Sequence, residues 1–389
     1  MRKRRAQIAG AVEATEGTAE TLDAGDVVLC FDPEFVPNIE MHDRRPARAI
    51  MTPLAKHRGV MAGTISFGLE LKGSGAVGTD PAFDPYLRAC GFVKTAIKSI
   101  GIGAVTGGPF LPGEIVTGGT SSATARVVGQ TANGASVLKL VELSGTLVDA
   151  ETLTGGTSGA TATSSGTPTA AQGFEWLPTS DETLIPSLTL ALRLDGKSFG
   201  LVAARGDVTF EGRVGESVMM RFSFQGRYVD VTDTGLFSGV TYESTVPVMF
   251  KAITSVLYAL GDTEDEASFT EVDLRAGNTV SLDRSAGYAN GVRRALLPDR
   301  VPTGRINPLA VLEATEAFWG ALEDGTEGRL YLELPGATAG EKIAIACPAI
   351  EIGGNANGDR DDQVVSDLEF NMVSALTDTV ELAMQLAMF

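Results

Sequence analysis

Residues 187–225, SLTLALRLDGKSFGLVAARGDVTFEGRVGESVMMRFSFQ, decide the fold. Leucines alternate with polar or small residues from Leu188 to Leu194, and this period of two places them on one face of a strand. Asp195 and Gly196 then predict a hairpin turn, because glycine accepts the positive φ that such a turn requires. The alternation resumes after the turn and continues to Gln225. The segment predicts an antiparallel sheet of four short strands, with one apolar face and one charged face.

The same layout returns near the C-terminus. Residues 329–336 (RLYLELPG) match residues 189–196 (TLALRLDG), with leucines in register. Three further blocks match in the same order, namely 60–65 with 301–306, 206–212 with 348–354, and 217–224 with 363–370. Each copy also carries a short helix candidate, at 85–92 and at 314–322. The repetition predicts a duplicated β module.

Residues 101–172 differ in composition, since they consist largely of Gly, Thr, Ser and Ala. Residues 114–125 (EIVTGGTSSATA) return as residues 151–162 (ETLTGGTSGATA), so this segment contains a repeat of its own. Small residues and β-branched threonines favour tight hairpins. We therefore expect module one at residues 1–100 and 173–245, an inserted small β domain at 101–172 that projects from it, and module two at 246–389.

The connecting segments give further expectations. Residues 1–25 are an Ala/Thr/Glu-rich arm that we expect to pack on a neighbouring subunit. Residues 44–59 predict an exposed basic loop, residues 246–260 a strand or a short helix, and residues 261–267 an acidic linker. The apolar C-terminal residues predict either a strand or a tail that docks on another subunit.

Composition excludes several classes of protein. The chain has 389 residues with 49 acidic and 31 basic side chains, a net charge of −18 that argues against ordinary nucleic-acid binding. A negative surface would still let DNA pass close by without sticking. Three distant cysteines predict no disulfide framework, and no apolar run reaches the length of a membrane span. Because the basic start lacks a signal core, we expect synthesis and folding in a cytoplasm.

The search for chemistry predicts no catalytic, cofactor-binding or metal-binding residue, and so no enzyme. Motifs such as G-x-S-x-G, the P-loop and H-E-x-x-H are absent. His42 and His57 lie in the basic region with no partner at helical or hairpin spacing. Residues 355–362 (NANGDRDD) faintly resemble a calcium loop but lack its spaced glutamate, so a solvated hairpin turn is expected there.

Five stretches carry a family resemblance: AGAVEATEGTAETL (9–22), FVPNIEMHDRR (35–45), AGTISFGLELKG (62–73), FDPYLRACGF (83–92) and LDGKSFGLVAARGDVTFEGRVGESVMMRFSFQG (194–226). Together and in this order they resemble the major tail tube proteins of long-tailed bacteriophages. The resemblance implies two tandem β-sandwich or half-barrel modules, each with a short helix, in a structural virion protein made in the host cytoplasm. In that family, rings stack into the hollow tube through which genomic DNA leaves the virion.

Two modules in one chain depart from the common six-copy ring, and we expect a trimeric ring with pseudo-sixfold symmetry. The partners that the resemblance implies are the chain itself, the tape measure protein, the tail terminator and the baseplate or distal tail proteins, while double-stranded DNA passes without specific binding. The residues expected to line an acidic lumen are Asp207, Thr209, Glu211, Ser223, Gln225, Glu351, Asp367, Glu369 and Asn371.

A rival interpretation is a secreted or surface adhesin or carbohydrate-binding module. The Thr/Ser/Gly-rich composition favours it. The missing signal core, the presence of only two tryptophans and the duplicated body argue against it.

Overall fold

The structure is a computed structural model that describes residues 4–129, 131, 134–170, 172–251, 255–260, 263–266, 269–313, 317–336, 340–374 and 381–389, with the backbone alone at 255–260 and 263–266. The fold is mainly β, as expected. The first strands are β1 (Ala6–Val12), β2 (Val27–Val28), β3 (Phe31–Arg44), β4 (Leu54–Glu70) and, after helix α1 (Asp84–Ala89), β5 (Phe92–Ile102). Residues 101–172 contain β6 (Ile115–Gly118), β7 (Thr124–Val127), β8 (Val137–Ser144), β9 (Thr152–Gly155) and β10 (Thr161–Ser165).

The first half, which ends at residue 251, continues with β11 (Gly173–Pro178), β12 (Leu188–Leu194), β13 (Lys197–Arg213) and β14 (Met219–Thr232). The second half contains β15 (Ser255–Leu260), β16 (Thr263–Glu266), β17 (Glu271–Arg275), β18 (Asn278–Arg284), β19 (Val292–Arg300) and β20 (Thr303–Ile306). Helix α2 (Phe318–Asp324) follows, and then β21 (Glu327–Leu334), β22 (Ile343–Arg360), β23 (Gln363–Met372) and β24 (Gln385–Met388).

The deciding segment forms three strands, of which β13 and β14 are long, and the prediction of four short ones is wrong. Asp195 and Gly196 do form the first turn, with φ of 37° and 111°. The break expected inside β13 is a bulge, because Leu190 lies opposite Leu201 while Leu188 lies opposite Ala204. A bulge adds a residue without ending the strand, so β13 continues to Arg213.

The two halves share this topology in detail. In the second half, Leu330 lies opposite Cys347 and Gly328 opposite Ile350, which is the same bulge at the same place between β21 and β22. β13 pairs with β14 as β22 pairs with β23. Strand pairing therefore makes residues 197–206 equivalent to residues 343–352.

Two of the sequence matches have the wrong register. Gly206 lies opposite Phe224, and Ile352 lies opposite Phe370, the residue that matches Phe224. Gly206 is therefore equivalent to Ile352. The sequence match of 206–212 with 348–354 had paired Gly206 with residue 348, which is four residues away. The match of 60–65 with 301–306 is wrong by two residues. Ile65 of β4 lies opposite Phe224, and Gly304 of β20 lies opposite Phe370, so Ile65 is equivalent to Gly304 and not to residue 306. An even displacement keeps every side chain on its face, so alternation alone cannot detect it.

One hydrophobic core extends through both halves. Helix α1 places Tyr86 beside Phe67, with their ring centroids 5.2 Å apart. The buried Trp176 donates its indole N–H to Asp84 Oδ1 at 2.9 Å, which ties β11 to the start of α1. Gly10 lies against the Tyr86 ring, where a Cβ would come within 2.7 Å.

The N-terminal segment is not a free arm, and the expectation that it packs on a neighbour is wrong for its strand. β1 pairs with β12 and with β2, and Ile8 and Ala9 are fully buried. The Glu13 carboxylate anchors the next turn, since it accepts hydrogen bonds from Ser187, Thr189 and the backbone N–H of Ala203. β1 belongs to the core because it pairs with β12 and with β2, and its four consecutive residues 7–10 are buried.

The structure also shows what residues 246–260, residues 261–267 and the C-terminal residues form. The supposed acidic linker contains β16, which pairs with β15, whereas residues 261–262 and 267 of that linker lie outside the described residues. β15 pairs with β21, so residues 255–260 of the strand-or-helix segment are a strand. The C-terminal β24 pairs with β11 and β22 of its own chain, which favours the strand interpretation.

Residues 101–172 form a small β unit with its own core, but they do not simply project from the first half. β5 pairs with both β8 and β10, so the unit continues the body's strands. Val128 and Val141 also pack with Tyr331 and Phe389 of the second half. This unit, called the inserted unit below, therefore packs on both halves.

Candidate assembly surface

Eight strands lie side by side through both halves, in the order β3, β4, β14, β13, β17, β20, β23 and β22. The halves meet where Phe210 of β13 lies opposite Leu274 of β17. We call this pairing the intrachain joint. Each half contributes four strands to this eight-strand sheet.

One face of the eight-strand sheet belongs to the core. Its residues on this face include Phe210, Phe224, Leu274, Leu368 and Phe370, each at most 2% exposed. The intervening residues necessarily face the other way. The sheet thus has one apolar face covered by the rest of the fold and one polar face.

All nine residues expected to line a lumen lie on the polar face. Cross-strand partners share a face, so Asp207 accompanies Ser223, and Glu351 accompanies Asn371. Ser223, Glu351, Glu369 and Asn371 are exposed, and Asp207, Thr209, Glu211, Gln225 and Asp367 are half-buried. The registers of β17 and β20 connect the two groups across the intrachain joint.

Asp207 is half-buried and hydrogen-bonded to the second half of the chain. Its Oδ1 accepts a hydrogen bond from the backbone N–H of Asn278 at 2.9 Å, where β18 begins. Burial raises the pKa of the Asp207 carboxyl above its usual value. The Asp207 carboxylate therefore links β13 to the second half of the chain at the intrachain joint.

Arginines interrupt the carboxylates on this face, and each of three is paired. Arg221 lies 3.3 Å from Glu211, Arg275 lies 3.1 Å from Asp273, and Arg305 lies 3.2 Å from Asp367. The hydrogen bond and the charge of Asp273 raise the pKa of Arg275. Sequence reasoning left these pairs out, because two of them join different strands whose register the sequence does not give.

The two ends of the eight-strand sheet are open. Within the described part of the chain, β3 pairs with β4 alone, and residues 354–360 of β22 pair with β23 alone. Unpaired strand edges are templates for another strand, and closure into a barrel removes them. The open edges can pair with strands of another chain, and the polar face remains exposed to whatever lies next to the sheet.

Comparison with known proteins gives the family. The model of the family described as phage tail tube protein matches residues 3–372. The chain belongs to the phage tail tube protein family. No curated protein matches the chain.

Membership of the tail tube family assigns a structural role in a virion tail, where the protein assembles with itself and with other tail components. The family match also agrees with the mainly β fold. Across the described residues, no helix is both long and apolar enough to cross a membrane.

The predicted basic loop of this tail tube protein is mostly a β-hairpin. β3 runs to Arg44 and β4 starts at Leu54, so only the tip between them lacks strand pairing. His42 lies directly opposite His57 in this hairpin, and the expectation that neither has a partner at hairpin spacing is wrong. The sequence did not reveal the pair because the strands are longer than expected. The described residues contain no cluster of three or more metal-binding side chains.

The segment that faintly resembled a calcium loop is also strand. Residues 355–360 pair with β23, and only Asp361 and Asp362 form the turn, with φ of 53° and 63°. A strand points alternate side chains to opposite faces, so the carboxylates and amides of residues 355–360 do not converge on one point.

Proposed function

We propose that this chain forms trimeric rings with pseudo-sixfold symmetry, and that these rings stack into the hollow tail tube. The observation that supports this proposal is the eight-strand sheet with two open edges and one polar face. We propose two tube modules, residues 1–100 with 173–245 and residues 246–389, and an inserted domain at 101–172. The equivalent bulges of β12–β13 and β21–β22 support this division.

Strand number favours three copies. Three chains would contribute twenty-four strands, because each has eight in this sheet. With strands about 4.8 Å apart and tilted by about 40°, such a barrel is about 48 Å wide at its backbone, whereas six chains would give about 96 Å. Three copies leave room for one duplex inside the side chains, and six leave far more than one duplex needs.

The polar face would line the lumen. The nine residues named above include five carboxylates, and Arg221, Arg275 and Arg305 on that face are each engaged by a carboxylate. Duplex DNA carries one negative charge per roughly 1.7 Å of axis, so such a wall repels it and leaves it mobile. We propose that double-stranded DNA passes through without specific binding and that the protein catalyses no reaction.

The location and the other partners follow from the same proposal. The protein would be made in the host cytoplasm and incorporated in the virion. It would contact the tape measure protein inside the tube, and the tail terminator and the baseplate or distal tail proteins at its ends.

Native mass spectrometry and negative-stain microscopy of the purified protein test the proposal. We expect trimers and, on standing, rods built of stacked rings with one central channel. A persistent monomer, or a closed ring of six chains, contradicts it. A monomer that binds glycans on an array would favour the adhesin interpretation.

A further inference from the structure

The strand pairing at the intrachain joint indicates how two chains could pair. Four strands of the first half meet four of the second through β13 and β17. The open edges at the ends of the sheet are β22, which is equivalent to β13, and β3, which is equivalent to β17. We propose that β22 of one copy pairs with β3 of the next in the register of the intrachain joint, an inference that rests on the proposed function.

The register follows from equivalent positions. β17 pairs with β20 as β3 pairs with β4, and this makes Leu274 equivalent to Phe35. β23 pairs with β22 as β14 pairs with β13, and this makes Phe210 equivalent to Asn357 once the extra residue of β22 near Gly354 is counted. Because Phe210 lies opposite Leu274, Asn357 would lie opposite Phe35 of the neighbour.

The hydrogen-bonding groups alternate along the intrachain joint. Ala276 donates its N–H to the Val208 carbonyl, and Val214 donates its N–H to the Thr270 carbonyl. In an antiparallel pair of strands, every second pair of opposite residues is hydrogen-bonded. Phe210 and Leu274 lie two residues from the pair formed by Val208 and Ala276, so they are also a hydrogen-bonded pair. In the interchain joint the hydrogen-bonded pairs would be Asn357 with Phe35 and, two residues along, residue 355 with residue 37.

An unsatisfied group at the edge of β22 supports a partner there. Both polar atoms of the Asn355 side-chain amide are buried without a hydrogen-bond partner in the described part of the chain. Leaving such a group unpaired is unfavourable, because it has lost its hydrogen bonds to water without gaining others. Its equivalent in the first half, Val208, is fully buried and lies at the intrachain joint. In the proposed register β3 of the neighbouring chain would lie along this amide, with Pro37 opposite Asn355.

Charge is also complementary at the end of the joint. Arg213 lies opposite Glu271 in the intrachain joint. At the equivalent end, Arg360 of one copy would lie near Asp32 of the next, whose side chain is 88% exposed. The neighbour's Asp32 would therefore meet a cation as the pairing forms.

The two joints differ in strength. Pro37 stands where Ala276 donates a hydrogen bond across the intrachain joint, and Pro33 stands where Val272 has an N–H. Proline has no N–H to donate, so the interchain joint has two fewer donors. Apolar Phe210 is also replaced by exposed Asn357. These residues keep the open edges of a free subunit from pairing indiscriminately, as prolines do on other edge strands.

Disulfide trapping tests the register. Val36 and Ala356 are both exposed and would form a non-hydrogen-bonded pair, with Cα atoms about 4.5 Å apart, a separation that a disulfide can bridge. We expect the double variant Val36→Cys, Ala356→Cys to form covalent dimers and trimers under mild oxidation. The control Val36→Cys, Gly358→Cys is displaced by two residues and should stay at the level of the single-cysteine variants.

The outcomes separate this inference from the proposed function. Rings seen by microscopy together with cross-linking of the control, or with no cross-linking of either variant, overturn the register but leave the ring. If neither rings nor cross-links form, both the register and the proposed function fail. Covalent trimers of the first variant alone establish the interchain joint.

Discussion

Glu114 and Glu151 each hold the turn of the other's repeat in the inserted unit. The Glu114 carboxylate accepts hydrogen bonds from the backbone N–H groups of Thr157 and Ser158, at 3.1 and 3.0 Å. The Glu151 carboxylate does the same for residues 120 and 121, at 3.2 and 3.0 Å. The two Gly-Gly-Thr-Ser turns are thus tied crosswise by buried carboxylates, which explains how a unit of small side chains stays folded.

Removing either carboxylate should loosen the whole inserted unit. Because hydrogen bonds to a charged group contribute about 1.5–3 kcal/mol each, we expect Glu151→Ala to lower the free energy of unfolding of this unit by about 3 kcal/mol or more. Glu114→Ala should cost a similar amount, and the double variant should cost less than their sum. Hydrogen exchange of residues 114–165 measures this, with the body of the protein as the internal control. Unchanged protection in both single variants would contradict it.

Acid should act on the same contacts. Burial alone would raise the pKa of Glu151, but hydrogen bonds from Ser121, Val148 and Thr120 outweigh it and hold the pKa below its usual 4.5. A lowered pKa in the folded state means that the stabilisation is present above pH 4.5 and is lost as the pH falls through the folded value. We expect protection in the inserted unit to fall below about pH 4.5 in the native protein and to be far less pH-dependent in Glu151→Gln.

Sequence alone reached the mainly β fold and the repeated halves, since both depend on local alternation and on order along the chain. The leucines from Leu188 to Leu194 show their face without any structure. The 114–125 and 151–162 repeat was equally visible. The hydrogen bonds from each turn to the glutamate of the other repeat were not, because a carboxylate that caps a turn thirty or more residues away leaves no local signal.

The sequence predicted which residues lie on the polar face, but not which strands lie next to each other. Alternation predicted which residues of β13, β14 and β23 would share a polar face, because the period of a strand fixes the face. It could not give the intrachain joint, which depends on which strands become neighbours. It also missed the pairing of Arg305 with Asp367, which lie on different strands.

The contact between Arg126 and Glu175 should fix the inserted unit to the body. Their side chains form a buried ion pair, and Gln385 of β24 donates a hydrogen bond to the other Glu175 oxygen at 2.9 Å. We expect Arg126→Met to cost about 3–5 kcal/mol, because it leaves a buried charge without its partner. Adding Glu175→Gln should recover roughly half of that loss, since the amide oxygen still accepts from Gln385. Urea unfolding of the native protein, the two single variants and the double variant measures this, and additive losses would argue against a direct interaction between Arg126 and Glu175.

Pro37 should slow assembly. Restoring an N–H at this position adds a donor to the open edge of β3, so Pro37→Ala should form rods several-fold faster at equal concentration, by light scattering and microscopy. Pro302→Ala, in the second half and away from both open edges, is the matched control and should assemble at the native rate. Slower assembly of Pro37→Ala with an unchanged fold by circular dichroism would contradict the guarding role.

The paired arginines of the polar face should decide whether DNA moves freely. The triple variant Glu211→Gln, Asp273→Asn, Asp367→Asn removes the nearest carboxylate of Arg221, Arg275 and Arg305, and leaves Arg221 with the longer contact to the exposed Asp32 at 3.7 Å. Each freed arginine can neutralise a phosphate and release a counterion, so assembled tubes of this variant should bind duplex DNA with an affinity that falls steeply as salt rises.

A control with the same change in net charge separates pairing from overall charge. Asp149, Glu323 and Asp324 are exposed and lie outside the eight-strand sheet, so their substitution by Asn, Gln and Asn changes the charge equally without freeing an arginine of the lumen. If the lumen variant alone retains DNA, and if further changing its three arginines to glutamine abolishes retention, the carboxylates act by masking those arginines. Equal retention by the control would assign the effect to net charge instead, because a long-range field does not distinguish one face of the sheet from another.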